Sequence, residues 1–203
     1  MNYIIFASFT VFALFVRGWI KRSNKLNTQN RKAYLENESL ANNTRRQSLD
    51  DLDYINIPTD FLDSSIDIEN LQPYLKELEN LSQVKIVNLT GISNTELKLQ
   101  YGVANLPLLT QYDEAYIKLS RVLNKIGLIY FDNNNFNLAK TYLEFDLVNK
   151  SDIRSTYETL ANIYFQENDN TKLKKLIDKA SSLKSINRNI ICRNLQKYNP
   201  SVD

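Results

Sequence analysis

Apolar residues recur along the second half of this chain at helical spacing, and they do so twice in nearly the same form. Leu123, Ile126 and Tyr130 follow steps of three and four, and Tyr157, Leu160 and Tyr164 repeat the pattern thirty-four residues later. A 3.6-residue period puts each trio on one helix face, so the spacing predicts two amphipathic helices that bury that face. Gly127 and Ala161 stand directly after the middle residue of each trio, small enough to let a second helix approach. Polar turns follow, Asp132-Asn133-Asn134-Asn135 and Glu167-Asn168-Asp169-Asn170, built from residues that hydrogen-bond locally and cap the next helix. The second helices read Phe136, Ala139, Leu143 and Leu147, then Leu173, Leu176, Ile177 and Ala180, again on one face. Two tandem helical hairpins are the expectation.

Over residues 116–185 this pattern resembles the tetratricopeptide repeat family. There are departures. The small residue of the family's second helix is kept as Ala139 but replaced by Leu173, and the alanine nearer its end is kept as Ala180 but replaced by Asp146. Ser151 and Ser185 stand where the family closes each repeat with proline. The resemblance implies a short α-solenoid holding a protein or peptide in a groove lined by the first helices. Carried over, the groove positions are Arg121, Asn124, Lys125, Leu128 and Phe131, then Glu158, Asn162 and Phe165. Leu128 replaces an asparagine of the family's carboxylate clamp, so capture of a terminal carboxylate is not implied. An ordinary helical bundle whose spacing coincides with the period is the alternative.

One further step of thirty-four reaches Ile191, Leu195 and Tyr198, which reads as a capping helix with Arg188, Arg193 and Lys197 on its polar side. Upstream, residues 94–102 and 106–119 read as another helical pair out of register with the period, with Pro107 tolerated in a first turn. Residues 94–198 are therefore expected to form the repeats and their cap. Residues 53–93 are a linker with one packed helix, carried by Ile68, Leu71, Leu75, Leu78 and Leu81 within 66–81, and a short extended piece over 85–91. Residues 21–52 read as a basic, polar helical stalk.

At the N-terminus, Tyr3 to Val16 carry no charge, and Arg17, Gly18, Trp19 and Ile20 follow. Fourteen residues are short of the roughly twenty that span a bilayer, but a snorkelling Arg17 and an interfacial Trp19 extend the segment to Ile20. The expectation is a single-pass transmembrane anchor over residues 3–20, with a helix lying in the interface as the alternative. A cleaved signal peptide does not fit, since no basic region precedes the run and no small-residue cleavage site closes it. Arg17, Lys21, Arg22 and Lys25 all follow the apolar run, so the positive-inside rule places the N-terminus outside and the repeats in the cytoplasm. Eight of the lysines and arginines lie in residues 1–48 against only Glu36 and Glu38, so the net charge of +2 hides a basic base and a mildly acidic body.

Catalytic chemistry has little to stand on. The chain has no histidine, which removes the commonest general base and histidine-ligated metals. Cys192 is the only cysteine and lies where a buried helix residue is expected. Ser181 and Lys184 have the spacing of serine/lysine acyl enzymes but no companion motifs, and Asp50, Asp51 and Asp53 read as a solvated loop. Neither cofactor nor metal is expected. The repeat region lacks a basic face able to track phosphates, so nucleic acid is not an expected partner. The expected fold is all-α: a transmembrane helix and stalk followed by a short tetratricopeptide-like solenoid. The expected function is a non-enzymatic, membrane-anchored adaptor for a protein or peptide, with a self-associating membrane protein or a non-catalytic enzyme subunit as alternatives. High asparagine and lysine content with four glycines suggests an AT-rich, bacterial genome.

Overall fold

The computed structural model describes residues 2–62, 68 and 70–198. Within them the chain is all-helical, with eight α-helices and no strand: α1 (Asn2–Asn43), α2 (Gln72–Ser82), α3 (Asn94–Tyr101), α4 (Leu106–Asp132), α5 (Phe136–Val148), α6 (Arg154–Gln166), α7 (Asn170–Ser182) and α8 (Arg188–Leu195). They divide between two compact units, one of residues 1–48 and 93–106, the other of residues 49–92 and 107–203.

In the first unit, the segments expected as anchor and stalk form one continuous helix, α1, which ends at Asn43 rather than running to Leu52. Among the described residues no helix is long and apolar enough to cross a membrane. The last turns of α1 pack on α3, where Ala41 and Leu97 are buried. Glu38 takes hydrogen bonds from the Lys98 amine and from Thr95 Oγ1, the latter at 2.6 Å. The Lys98 bond, then the Thr95 bond, hold the Glu38 carboxyl below its usual range. Ser93 and Glu96 start α3 with a reciprocal capping box. Gly102 ends it with φ of +86° and backs onto the main chain of Arg45, whose oxygen would lie 2.4 Å from an added Cβ. Next to it the buried Asn105 donates to the carbonyls of Gln47 and Tyr101, both at 2.8 Å, and accepts from Arg46 Nε at 2.9 Å.

In the second unit the helix within residues 53–93 starts at Gln72 rather than at Ile66, which lies outside the described residues. Leu75, Leu78 and Leu81 of α2 join Phe61, Ile86 and the α4 residues Ala115, Tyr116, Leu119 and Val122 in one core. The extended pieces meet in an isolated antiparallel bridge between Tyr54 and Val87. The expected break after Leu119 does not occur. The 27 residues of α4 run unbroken, because the apolar period of Leu119, Val122, Leu123, Ile126 and Tyr130 continues without glycine or proline until the core contact at Gly127. The helical pair read at 94–119 is therefore split, with α3 in one unit and α4 from Pro107 onward in the other. A second core joins Leu143, Leu147, Tyr157, Leu160, Ala161, Leu173, Leu176, Ala180, Ile191 and Leu195, and the last two seat α8 against it.

Candidate binding face and the buried acid beneath it

The two hairpins match each other in backbone as well as in pattern. Asn134 and Asn168, thirty-four positions apart, both adopt φ of +58°, a left-handed conformation that asparagine tolerates better than other side chains with a Cβ. Each closes its helix the same way: Asn135 N–H donates to Tyr130 O at 2.9 Å, and Asp169 N–H to Tyr164 O at 2.8 Å. The same two residues then cap the next helix, Asn135 accepting from Leu138 N–H and Asp169 from Lys172 N–H. Between α4 and α5, an added Cβ on Gly127 would meet Leu143 Cγ at 2.5 Å, and the Tyr130 and Tyr142 rings stack with centroids 5.5 Å apart. Ala161 is completely buried at the corresponding place in α6.

The eight groove positions divide into two groups. Arg121 and Lys125 are exposed on α4, and Leu128 is half-buried one turn further along the same face. On α6, Asn162 is half-buried and Phe165 is 57% exposed, its ring 5.7 Å from that of Tyr198. These five keep some exposed surface, although Asn162 accepts a hydrogen bond from Gln166 Nε2 at 3.0 Å. The other three are engaged within the fold. Phe131 packs against the core and the Phe136 ring at 5.5 Å. Glu158 pairs with Arg154 at 3.3 Å and accepts a hydrogen bond from Asn194. Asn124 is buried, because hydroxyl groups on α6 draw it inward: its Nδ2 donates to Thr156 Oγ1 at 3.0 Å and its Oδ1 accepts from Ser155 Oγ at 3.1 Å.

Asn124 belongs to a buried polar network centred on Asp146, which is 1% exposed near the end of α5. Ser120 on α4 donates to Asp146 Oδ1 at 2.5 Å, and Thr156 on α6 donates to Oδ2 at 2.7 Å. A hydroxyl carries one proton, so with the Ser120 proton on Asp146, the 2.8 Å contact between Ser120 and Ser151 has Ser151 donating. Two chains of donors thus converge on one carboxyl: Ser151 to Ser120 to Oδ1, and Asn124 to Thr156 to Oδ2. Burial raises the Asp146 pKa to about 6, against the hydrogen bonds from Ser120, Thr156 and Ser151, which favour the ionised form. Burial, followed by the charge of Asp146, likewise raises the hydroxyls of Tyr116 and Tyr157. The sequence carries a signal for this network. Asp146 and Ser151 are two of the departures from the repeat pattern, and they compensate each other within one cluster.

The network ties α4, α5 and α6 together but offers no route for a reactant, since Ser120, Asp146, Ser151 and Thr156 are all buried. Two surface clefts lie elsewhere in this unit. One of about 310 Å³ is bordered by Asp53, Tyr54, Asn88, Asn149 and Lys150, and one of about 570 Å³ by Leu81, Val84, Lys85, Tyr112 and Lys118. Ser181 donates to its own helix at Ile177 O, 3.0 Å away, and lies 3.9 Å from Cys192 Sγ. Among the described residues no three acidic or cysteine side chains converge as metal ligands.

Comparison with known protein families, with curated proteins and with solved structures gives no match.

Proposed function

We propose that this chain is a non-enzymatic adaptor. It is attached to a membrane through the apolar first third of α1, either as a single-pass anchor or as a helix lying along the surface, and it holds a cytoplasmic protein or peptide on a short tetratricopeptide-like solenoid. The observation that carries the reading is the thirty-four-residue recurrence of a complete hairpin: the small residues Gly127 and Ala161, the left-handed Asn134 and Asn168, and the caps Asn135 and Asp169. Such units stack into scaffolds whose first helices line a binding face. Here that face offers Arg121, Lys125, Leu128, Asn162 and Phe165, a mix of apolar and polar groups suited to an extended peptide or a partner helix.

The test is capture of a partner from native membranes by the full chain and by variants whose fold is intact. Leu128→Lys and Phe165→Ser are expected to lose the partner while thermal melting stays unchanged. Asn124→Ala is expected to lower melting instead, because it strips a buried hydrogen-bonded residue. Undiminished capture by the double variant Leu128→Lys/Phe165→Ser would remove the face from consideration. Sedimentation of the full chain at several concentrations separates partner binding from self-association.

A further inference from the structure

We infer that α1 from Phe12 to Lys25 is a docking site for a membrane surface bearing anionic lipid headgroups. This rests on the proposed membrane attachment, in the form in which the helix lies along the surface, and names its lipid class.

Two residues along an α-helix turn through about 200°, so neighbours at that spacing face opposite ways. Phe15 and Arg17 are such a pair, as are Trp19 and Lys21. The continuous helix α1 therefore carries Phe12, Phe15 and Trp19 along one side. Arg17, Lys21 and Lys25 follow one another at four-residue steps along the other, with Arg22 at the border. Phe12, Phe15 and Trp19 are 63%, 75% and 69% exposed, a row of bare aromatics that a soluble surface does not normally leave uncovered. Among the described residues none of the four cations forms an ion pair, and no acid precedes Glu36. Lys32 pairs with Glu36, so free positive charge concentrates from Arg17 to Lys25.

An anionic bilayer surface satisfies both faces together. Aromatic rings settle at the boundary of the acyl chains, long basic side chains reach phosphates in the same plane, and Trp19 stands where an interfacial tryptophan belongs. A phosphate ion in solution would meet the cations and leave the rings in water. The surrounding sequence fits the same occupant, since the uncharged run from Tyr3 to Val16 leads directly into this segment.

Trp19 is the chain's only tryptophan, so its emission reports the site without a label. The full chain is titrated with phosphatidylcholine vesicles and with vesicles containing phosphatidylglycerol, at low and high salt. Both are expected to shift Trp19 emission to the blue. The anionic vesicles should half-saturate at much lower lipid, with about fivefold lost per cation removed, and the advantage should shrink in salt. The variant Arg17→Gln/Lys21→Gln/Arg22→Gln/Lys25→Gln should bind both vesicles alike. A control losing four exposed cations elsewhere, Lys174, Lys175, Lys179 and Lys184, should keep the preference. Equal binding of wild type to both vesicles would overturn the lipid class while leaving attachment standing. Loss of preference in the control would show a charge effect of the whole protein and overturn the site. No shift with any vesicle would overturn the membrane attachment itself.

Discussion

Thr156, near the start of α6, donates its hydroxyl to Oδ2 of Asp146, near the end of α5, at 2.7 Å. That bond fastens one hairpin to the next through a carboxyl that the repeat pattern would replace with alanine. Together with Ser120 on α4, it makes a single buried acid the meeting point of three helices.

The first prediction concerns pH. Burial raises the Asp146 pKa from 3.8 to about 6, so the folded protein holds this proton more tightly than the unfolded chain. The stability this group contributes is complete below about pH 4, falls as pH rises through the window to about 6, and is absent above it; the total is about 3 kcal/mol. Asp146→Asn has no proton to lose and still offers an acceptor oxygen. Urea midpoints of wild type minus Asp146→Asn should therefore fall across that window, and parallel curves would refute the titrating buried acid.

Packing at Gly127 gives the second. Alanine is the better helix former by about 1 kcal/mol, but its Cβ would sit 2.5 Å from Leu143 Cγ, and overpacking a filled core costs about 1–3 kcal/mol. Gly127→Ala should therefore lower the melting temperature, and Gly127→Leu more so. Leu143→Ala removes the clashing group, so Gly127→Ala/Leu143→Ala should lose less than the sum of the single changes. Additive losses would show that the contact is not the cause.

The paired turns supply the third. Asn134 and Asn168 both hold φ of +58°, where a Cβ costs about 1–2 kcal/mol unless the side chain compensates locally. Alanine at either site should destabilise by about 1 kcal/mol while glycine stays near wild type. Equal effects of alanine and glycine, read from chemical denaturation, would mean that the side-chain amide rather than the backbone is what matters there.

Topology is the fourth. Ile186 is fully exposed in the loop before α8, so Ile186→Cys in a Cys192→Ser background provides an accessible thiol. If the four cations after the apolar run keep the body in the cytoplasm, a membrane-impermeant maleimide should label this thiol only after lysis. Labelling of intact cells would reverse the orientation.

Much of the second unit was legible in the sequence. The trios at 123–130 and 157–164, the asparagine-rich turns and the cap at Ile191 and Leu195 depend on interactions a few residues apart, and their spacing carries them directly. The candidate face was only half legible. Arg121, Lys125 and Phe165 are exposed and Leu128 and Asn162 half-buried, whereas Asn124 turns inward to Thr156, thirty-two residues away. An outward helical position looks the same in sequence whether solvent or a neighbouring hydroxyl faces it.

The sequence by itself determined that the chain is helical, where the two hairpins turn, and which face of each hairpin helix carries the apolar core residues. Those properties follow from the 3.6-residue period and from local capping. Only the tertiary structure decided that α3 joins α1 through Glu38 and Lys98. It also decided that Asp146 is held between Ser120 and Thr156. The choices concern pairs separated by ten to sixty residues, and such pairs are selected by which surfaces meet when apolar faces are buried.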